Sequence, residues 1–328
     1  MKSFENKTIL ITGGTGTIGQ AVTRYLLNEN VKKIKIISRN EFKQHETKIK
    51  FNNSKIEFII CDVRDYTALN SVMQDVNIVF HTAAMKRIEI CEKNTQEAIK
   101  TNIVGTMNVI NAAGNNNVET VVNMSTDKAV KPDFVYGTTK NMAEKLIVNA
   151  NKKFKTKFVN IRSSNVTWST GNVFHIFYEK LMNNEEITVF GENMIRLFVN
   201  PEDIAKQFHY AYSKGQGGET FVILTNSIRI SELAKAMQEI IGKGKITLKD
   251  HLRPGERFEE ILIYAEEVER AFKTGNYVVI MPKEEKELMQ KYAENEKFNM
   301  EYYSTHNSPE LSIEEIKKYI TLTEFSKI

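Results

Sequence analysis

Thr8-Ile9-Leu10-Ile11-Thr12-Gly13-Gly14-Thr15-Gly16-Thr17-Ile18-Gly19-Gln20 decides the fold. Five strand-forming residues run straight into glycines at 13, 16 and 19, and a helical pattern follows from Gln20 to Leu27. Apolar β-branched residues favour a buried strand. Glycines permit a tight turn and let backbone approach a pyrophosphate closely, and the helix start offers N–H groups to an anion. This strand–turn–helix context predicts a dinucleotide site on Gly13, Thr15, Gly16, Thr17 and Ile18.

Working outward, the same alternation continues. Strands are expected at Lys33–Ser38, Ile56–Cys61, Asn77–His81, Val118–Met124 and Phe158–Arg162, with helices at Thr95–Ala113 and Lys140–Ala150. Parallel strands need helical crossovers, and these spacings supply them. The fold class expected is α/β, a Rossmann-type doubly wound parallel sheet over residues 1–163. Residues 164–328 are expected to form a smaller C-terminal substrate-binding lobe, with some segments returning to the sheet. The Lys- and Glu-rich stretch Lys283–Lys297 reads as a solvated helix.

The second strand ends in Ser38-Arg39-Asn40, with Lys43 beyond. An acidic residue there would favour NAD by binding the ribose hydroxyl; cations suit the 2′-phosphate of NADP. Asp62 and Val63 fit an adenine edge, and Ala83-Ala84 are small enough for a cofactor to pass.

The chemistry is concentrated in Ser125-Thr126-Asp127-Lys128 and Tyr136-Gly137-Thr138-Thr139-Lys140. Tyr136 and Lys140 share a helix face. A lysine beside a tyrosine favours the phenolate, which makes Tyr136 a candidate base toward a sugar or alcohol hydroxyl. Asp127 and Lys128 add a second acid/base pair, which a simple alcohol dehydrogenase does not need.

Composition narrows the classes. The 328 residues carry a net charge of +4, and the lysines are dispersed, which argues against nucleic acid as partner. Cys61 and Cys91 form no CxxC, and no Cys/His set has metal-site spacing, so no metal is expected. No signal segment and no membrane span are read, and a cytoplasmic location is expected.

In order, Gly13–Gly19, Thr82-Ala83-Ala84-Met85-Lys86, Thr101-Asn102-Ile103-Val104-Gly105-Thr106, Ser125–Lys128 with Tyr136 and Lys140, and Arg253-Pro254-Gly255-Glu256 resemble the extended short-chain dehydrogenase/reductase superfamily. Within it they resemble the soluble UDP-N-acetylglucosamine 4,6-dehydratases, chiefly the configuration-inverting branch that starts pseudaminic acid synthesis. The resemblance implies that Tyr136 deprotonates O4, that Thr126 orients the C4 hydroxyl, and that Lys140 holds the ribose and lowers the Tyr136 pKa. It implies Lys128 as base at C5, given a lowered pKa, and Asp127 as acid at O6. Lys86, Asn165, Arg196, Arg253 and Glu256 would contact the UDP-sugar. Lys86 also borders the cofactor side, and Asn102 would support the cofactor-side backbone. Homo-oligomers, dimeric or hexameric, are implied.

The chain departs from the family pattern at Ser163-Ser164, at Thr170 and at Ile195. A dehydratase that releases a 5,6-ene, a C4 epimerase and a 4-ketoreductase are the alternative enzymes, and a non-enzymatic nucleotide sensor is a further one.

Overall fold

A computed structural model describes residues 1–252, 257–283 and 285–322. The elements run β1 Thr8–Thr12, α1 Thr17–Leu27, β2 Lys33–Ser38, α2 Glu41–Phe51, β3 Ile56–Ile60, α3 Tyr66–Val72 and β4 Ile78–His81. Next come α4 Ile88–Lys93, α5 Thr95–Ile99, a π-helical turn Lys100–Val104, α6 Gly105–Asn115, β5 Thr120–Thr126, a 3-10 turn Asp127–Ala129, α7 Val135–Ala150 and β6 Lys157–Ser163.

The second half holds β7 Asn165–Val166, α8 Val173–Met182, β8 Glu186–Phe190, β9 Ile195–Val199, α9 Pro201–Lys214, β10 Thr220–Ile223, β11 Ser227–Arg229, α10 Ile230–Ile241 and β12 Lys245–Lys249. It closes with β13 Ile261–Ile263, α11 Ala265–Val268, β14 Ala271–Thr274, β15 Tyr277–Ile280, α12 Lys286–Lys291, β16 Tyr303–Ser304 and α13 Ile313–Leu322.

Among the described residues the main sheet has nine strands, in the order β14-β15-β10-β6-β5-β4-β1-β2-β3. From β10 to β3 the strands are parallel, and β15 and β14 are added antiparallel. This is the Rossmann-type architecture. Strand side chains alternate between faces. Ile9 and Ile11 enter one core with α1 and α9, while Leu10 enters the other with α3, α6 and α7. β8 pairs with β12, β9 lies between β7 and β11, and β13 pairs with β16. A separate core of Phe174, Leu181, Leu233, Met237 and Ile316 lies beneath these short strands.

The two halves are joined by a buried ion triad. Arg162 on β6 donates from Nε and Nη2 to Glu144 on α7 at 3.1 and 2.9 Å. Its Nη1 and Nη2 also reach Glu267 on α11 at 2.8 and 2.9 Å.

Three expectations change. Thr95–Ala113 is not one regular helix, because the turn Lys100–Val104 admits one more residue per hydrogen-bonded ring. Lys283–Lys297 is not a solvated helix. Among its described residues only Lys286–Lys291 is helical, and Leu288 and Tyr292 join the core that holds Ile9 and Ile11. The Tyr292 hydroxyl donates to Glu219 at 3.0 Å. β5 also starts and ends two residues later than expected, so Ser125 and Thr126 belong to the strand itself.

Candidate active site

The strand ends of β1, β2, β4, β5 and β6 open into one cleft of about 1470 Å³, which continues between the sheet and the second half. Ligand sites in open α/β sheets lie at these carboxyl ends.

At its near end Gly13 turns with φ +68°, a conformation that favours glycine, and its N–H donates to Ile37 O at 2.8 Å. Helix α1 then starts at Thr17 with no side-chain cap and no acid in its first turn. Its first N–H groups are therefore left to a ligand. Thr15, Gly16, Thr17, Ile18, Ser38, Arg39, Lys43, Asp62, Val63, Ala83, Ala84 and Lys86 all line this end.

The Asp62 carboxylate is already gripped by Arg64 Nε and Nη2 at 2.9 and 2.7 Å, while Arg39 approaches it only to 3.8 Å. Burial, then the charges of Arg87 and Lys43, push the Lys86 pKa below its ordinary value. An anion beside Lys86 would relieve both effects.

Asn102 lies below this floor. Its side chain accepts from Met85 N–H at 2.8 Å and donates to Met85 O at 3.0 Å and Thr139 Oγ1 at 2.9 Å. Fully engaged and away from the cleft lining, it braces the backbone under the cofactor side, as the resemblance implies, and lies outside the lining itself. The π-helical turn is what carries Asn102 to this point. His81 extends the support: it bonds Thr12 Oγ1 at 2.7 Å and Thr106 Oγ1 at 3.1 Å. Burial, then Lys140, push its pKa down to about 3, so the ring is neutral.

The middle of the cleft holds the reactive groups. β5 delivers Thr126, whose hydroxyl donates to Asp127 Oδ1 at 2.7 Å. Asp127 and Lys128 sit on the 3-10 turn, which Asn141 on α7 ties down by donating to Ala129 O at 2.8 Å. Tyr136 stands in the first turn of α7, where the Val135 N–H is capped by Glu92 Oε1 at 2.6 Å.

Lys128 Nζ donates to Asp127 Oδ2 at 3.0 Å, Asn165 Oδ1 at 3.0 Å and Glu260 Oε1 at 3.1 Å. Burial opposes its charge, but Asp127 and Glu260 override that and hold its pKa above the ordinary value. The lowered pKa expected of Lys128 is therefore not found. Burial and the Glu260 charge raise the Asp127 pKa. Glu260 goes the other way: burial would raise it, but Lys128 and Arg196 hold it down. The two carboxylates are thus driven apart in acidity, as acid–base sites require.

Burial pushes the Tyr136 phenol up to about 12, and the cation acting against that is Lys128. The expected partner Lys140 instead has its own pKa lowered to about 8 by burial, partly offset by Glu144. Lys140 lines the cleft behind Tyr136.

The far end carries Asn165 and Arg196. Arg196 is only 11% exposed and is not a surface charge: Nε lies 3.2 Å from Glu260 Oε1, and Nη2 donates to Arg257 O at 2.7 Å. Arg253 and Glu256 lie outside the described residues. Glu260 was missed in the sequence because Glu259-Glu260 reads as a solvated pair; its one local signal is the apolar run Ile261–Ile263 that follows.

Helix α7 approaches the 3-10 turn so closely that a Cβ on Gly137 would sit on the Lys128 carbonyl oxygen. Gly137→Ala should push the Tyr136 helix off the Asp127–Lys128 turn. A loss of about 1–3 kcal/mol in stability is expected, with turnover down about a hundredfold. Thermal melting and a turnover assay check it; wild-type values for both would refute the tight-contact account.

The model of the family described as Polysaccharide biosynthesis protein matches residues 9–282. The UDP-glucose 4-epimerase of Rickettsia bellii (strain OSU 85-389) is 39% identical, covering 97% of this chain and 96% of its own. The X-ray structure of Pen from Bacillus thuringiensis superposes with a TM-score of 0.90 and 33% identity, covering 98% of each chain. The UDP-glucose 4-epimerase of Thermotoga maritima shares the fold, with a TM-score of 0.71 and 24% identity over 80% of this chain and 91% of its own. With a family match that runs from β1 to the end of the main sheet and relatives alike over nearly their whole length, the chain belongs to the polysaccharide biosynthesis protein family.

Proposed function

We propose that this chain is a UDP-N-acetylglucosamine 4,6-dehydratase of the short-chain dehydrogenase/reductase type. The observation that carries the reading is a second acid–base pair, Asp127 and Lys128, in the same cleft as Tyr136. Exchanging configuration at one carbon needs a proton shuttle at O4 alone. Removing water across C5 and C6 needs a base at C5 and an acid at O6 as well.

The cleft fits a dinucleotide. Ser38 and Ser125 line it, and their hydroxyl oxygens are buried and without a hydrogen-bond partner in the protein. Gly13, Gly16, Thr17 and Ile18 would hold the pyrophosphate, and Ser38, Arg39 and Lys43 the ribose end, favouring NADP. When bound, the dinucleotide supplies the hydride acceptor for C4 and the hydride donor for C6.

The protein moves the protons. Tyr136 takes the O4 proton, with the Thr126 hydroxyl bonded to the phenol. The resulting 4-keto group acidifies C5–H. Lys128 accepts that proton as Asp127 gives one to O6; the C5–H and C6–O bonds break, C5=C6 forms and water leaves. A charged Lys128 is compatible with this role. The ion pair of Asp127 carboxylate and Lys128 ammonium holds as many protons as the neutral acid and amine. One transfer along the 3.0 Å hydrogen bond interconverts them; the raised Asp127 pKa favours it, and the raised Lys128 pKa opposes it. Water loss then restores the ion pair. Each such positioned group contributes about 10²–10⁴-fold.

Exposed Ile90, Ile99, Val104, Met107 and Met142 on α4 to α7 and the π-helical turn support self-association as a homo-oligomer. The name UDP-glucose 4-epimerase borne by the Rickettsia relatives favours a second reading, epimerisation at C4.

Incubation with UDP-N-acetylglucosamine in D₂O separates the two. The expected product has lost one water and gained deuterium at C5; a C4 epimer of unchanged mass would establish the second reading instead.

A further inference from the structure

We propose that Glu260, clamped by Arg196, is a positioning residue that holds Lys128 against Asp127 and sets the proton count of that pair. The inference rests on the dehydratase reading of Asp127 and Lys128. The three N–H bonds of the Lys128 ammonium are matched by three acceptors, on Asp127, Asn165 and Glu260. Remove one, and the long side chain regains rotamers.

Glu260 is itself held on every side. Its Oε2 accepts from Asn165 Nδ2 at 2.6 Å, and Oε1 meets Arg196 Nε at 3.2 Å. Its N–H donates to Thr305 Oγ1 at 3.3 Å, and its carbonyl accepts the Thr305 N–H at 3.0 Å. The segment that carries it docks on the loop after the catalytic turn: Arg257 pairs with Asp133 and donates to Lys131 O at 2.7 Å. The Lys131 ammonium lies 3.9 Å from the centre of the Tyr264 ring.

Such a carboxylate, only 9% exposed, would be costly unless paired, and two cations pair it. The charged and titratable groups that face Lys128 are Asp127 on its own turn, Tyr136 on α7 and Glu260 before β13, with Arg196 on β9 acting through Glu260. The negative charge of Glu260 favours the proton on Lys128 and on Asp127 alike. It also ties proton delivery to the second half of the chain, because Arg196 and Glu260 both lie there.

The test is Glu260→Gln in the cofactor-loaded full chain, with UDP-N-acetylglucosamine, followed over pH. Glutamine keeps the shape and removes the charge. Turnover for water loss should fall about ten- to a hundredfold, with a smaller change in KM. The pH optimum should move toward acid by about one unit, since losing a negative neighbour lowers both pKa values. Reduced dinucleotide should still appear on mixing, because O4 deprotonation does not use Glu260. Glu260→Asp should recover part of the profile. A Gln variant with the wild-type pH profile sinks the Glu260 role alone. So does a variant that loses both half-reactions equally without rescue by Asp. A wild type that makes only the C4 epimer sinks the dehydratase reading instead.

Discussion

Lys128→Met should cut water loss from the UDP-sugar by about 10²–10⁴-fold while oxidation at C4 persists, so that reduced dinucleotide accumulates. Met matches the length of the side chain and removes both the base and the charge. The oxidation half should respond too, in its pH dependence. Lys128 is the cation that opposes the burial-driven rise of the Tyr136 pKa. Without it the phenol holds its proton to still higher pH, and the basic conditions needed for O4 deprotonation move upward. Asp127 and Glu260 would also lose their shared counter-ion, 3.0 and 3.1 Å away. They respond by taking up a proton, so the variant should melt at lower temperature as pH rises. Stopped-flow absorbance of the dinucleotide, product mass and melting curves across pH read all three effects. Water loss at the wild-type rate would remove Lys128 from the mechanism, and parallel loss of both half-reactions would make its role structural.

Arg162→Met should lower stability by about 3–5 kcal/mol, the largest effect expected of a residue outside the cleft lining. Arg162 is 4% exposed and answers two carboxylates, Glu144 and Glu267. Burial pushes Glu267 up, but Arg162 overrides this and holds it below the ordinary carboxylate value. A depressed carboxylate stabilises the fold above its unfolded pKa, and that contribution is lost as pH falls through the folded pKa. In the variant the sign reverses. Glu267, buried with only the more distant Arg270 at 3.8 Å to answer it, loses its main cation and titrates higher, so the variant should gain stability as the medium is made mildly acidic. Denaturant unfolding of wild type and variant at neutral and mildly acid pH checks it; parallel pH dependence in the two would refute the triad account.

The first half of this fold was legible because its parallel strands are compact runs of β-branched residues, buried on both faces at Thr8–Thr12 and alternating Lys with Ile at the start of Lys33–Ser38. Thr8–Thr12 and Lys33–Ser38 stand out with their bounds intact, and glycines mark the one turn that matters. The second half was not. Its strands, such as Glu186–Phe190, are short and half-buried, and they pair far along the chain, as with Lys245–Lys249. Apolar spacing also hides the π-helical turn, since one added residue per ring barely disturbs a helical pattern. In Lys283–Lys297 the charges outnumber Leu288 and Tyr292, the two residues that anchor it. At the site, Tyr136, Lys140, Asp127 and Lys128 could be read from spacing, yet their couplings could not. The charge of Lys128, on the 3-10 turn that α7 packs against, is the one that offsets the burial of the phenol. Glu260 enters from far along the chain, and its one local signal, the apolar run Ile261–Ile263, says nothing of Lys128.

The strand order has a consequence for synthesis. β6 carries the last parallel edge of the first half, and its partner β10 begins at Thr220, after five further elements have been made. β15 and β14 then cover β10, so this side of the sheet is complete only after Ile280 leaves the ribosome. Until β10 is made, a nascent chain presents the open edge of β6, with unpaired N–H and C=O groups ready for another strand. A chain cut after Ser163 would keep that edge permanently and should aggregate, whereas a cut beyond Ile280 would leave β6 paired.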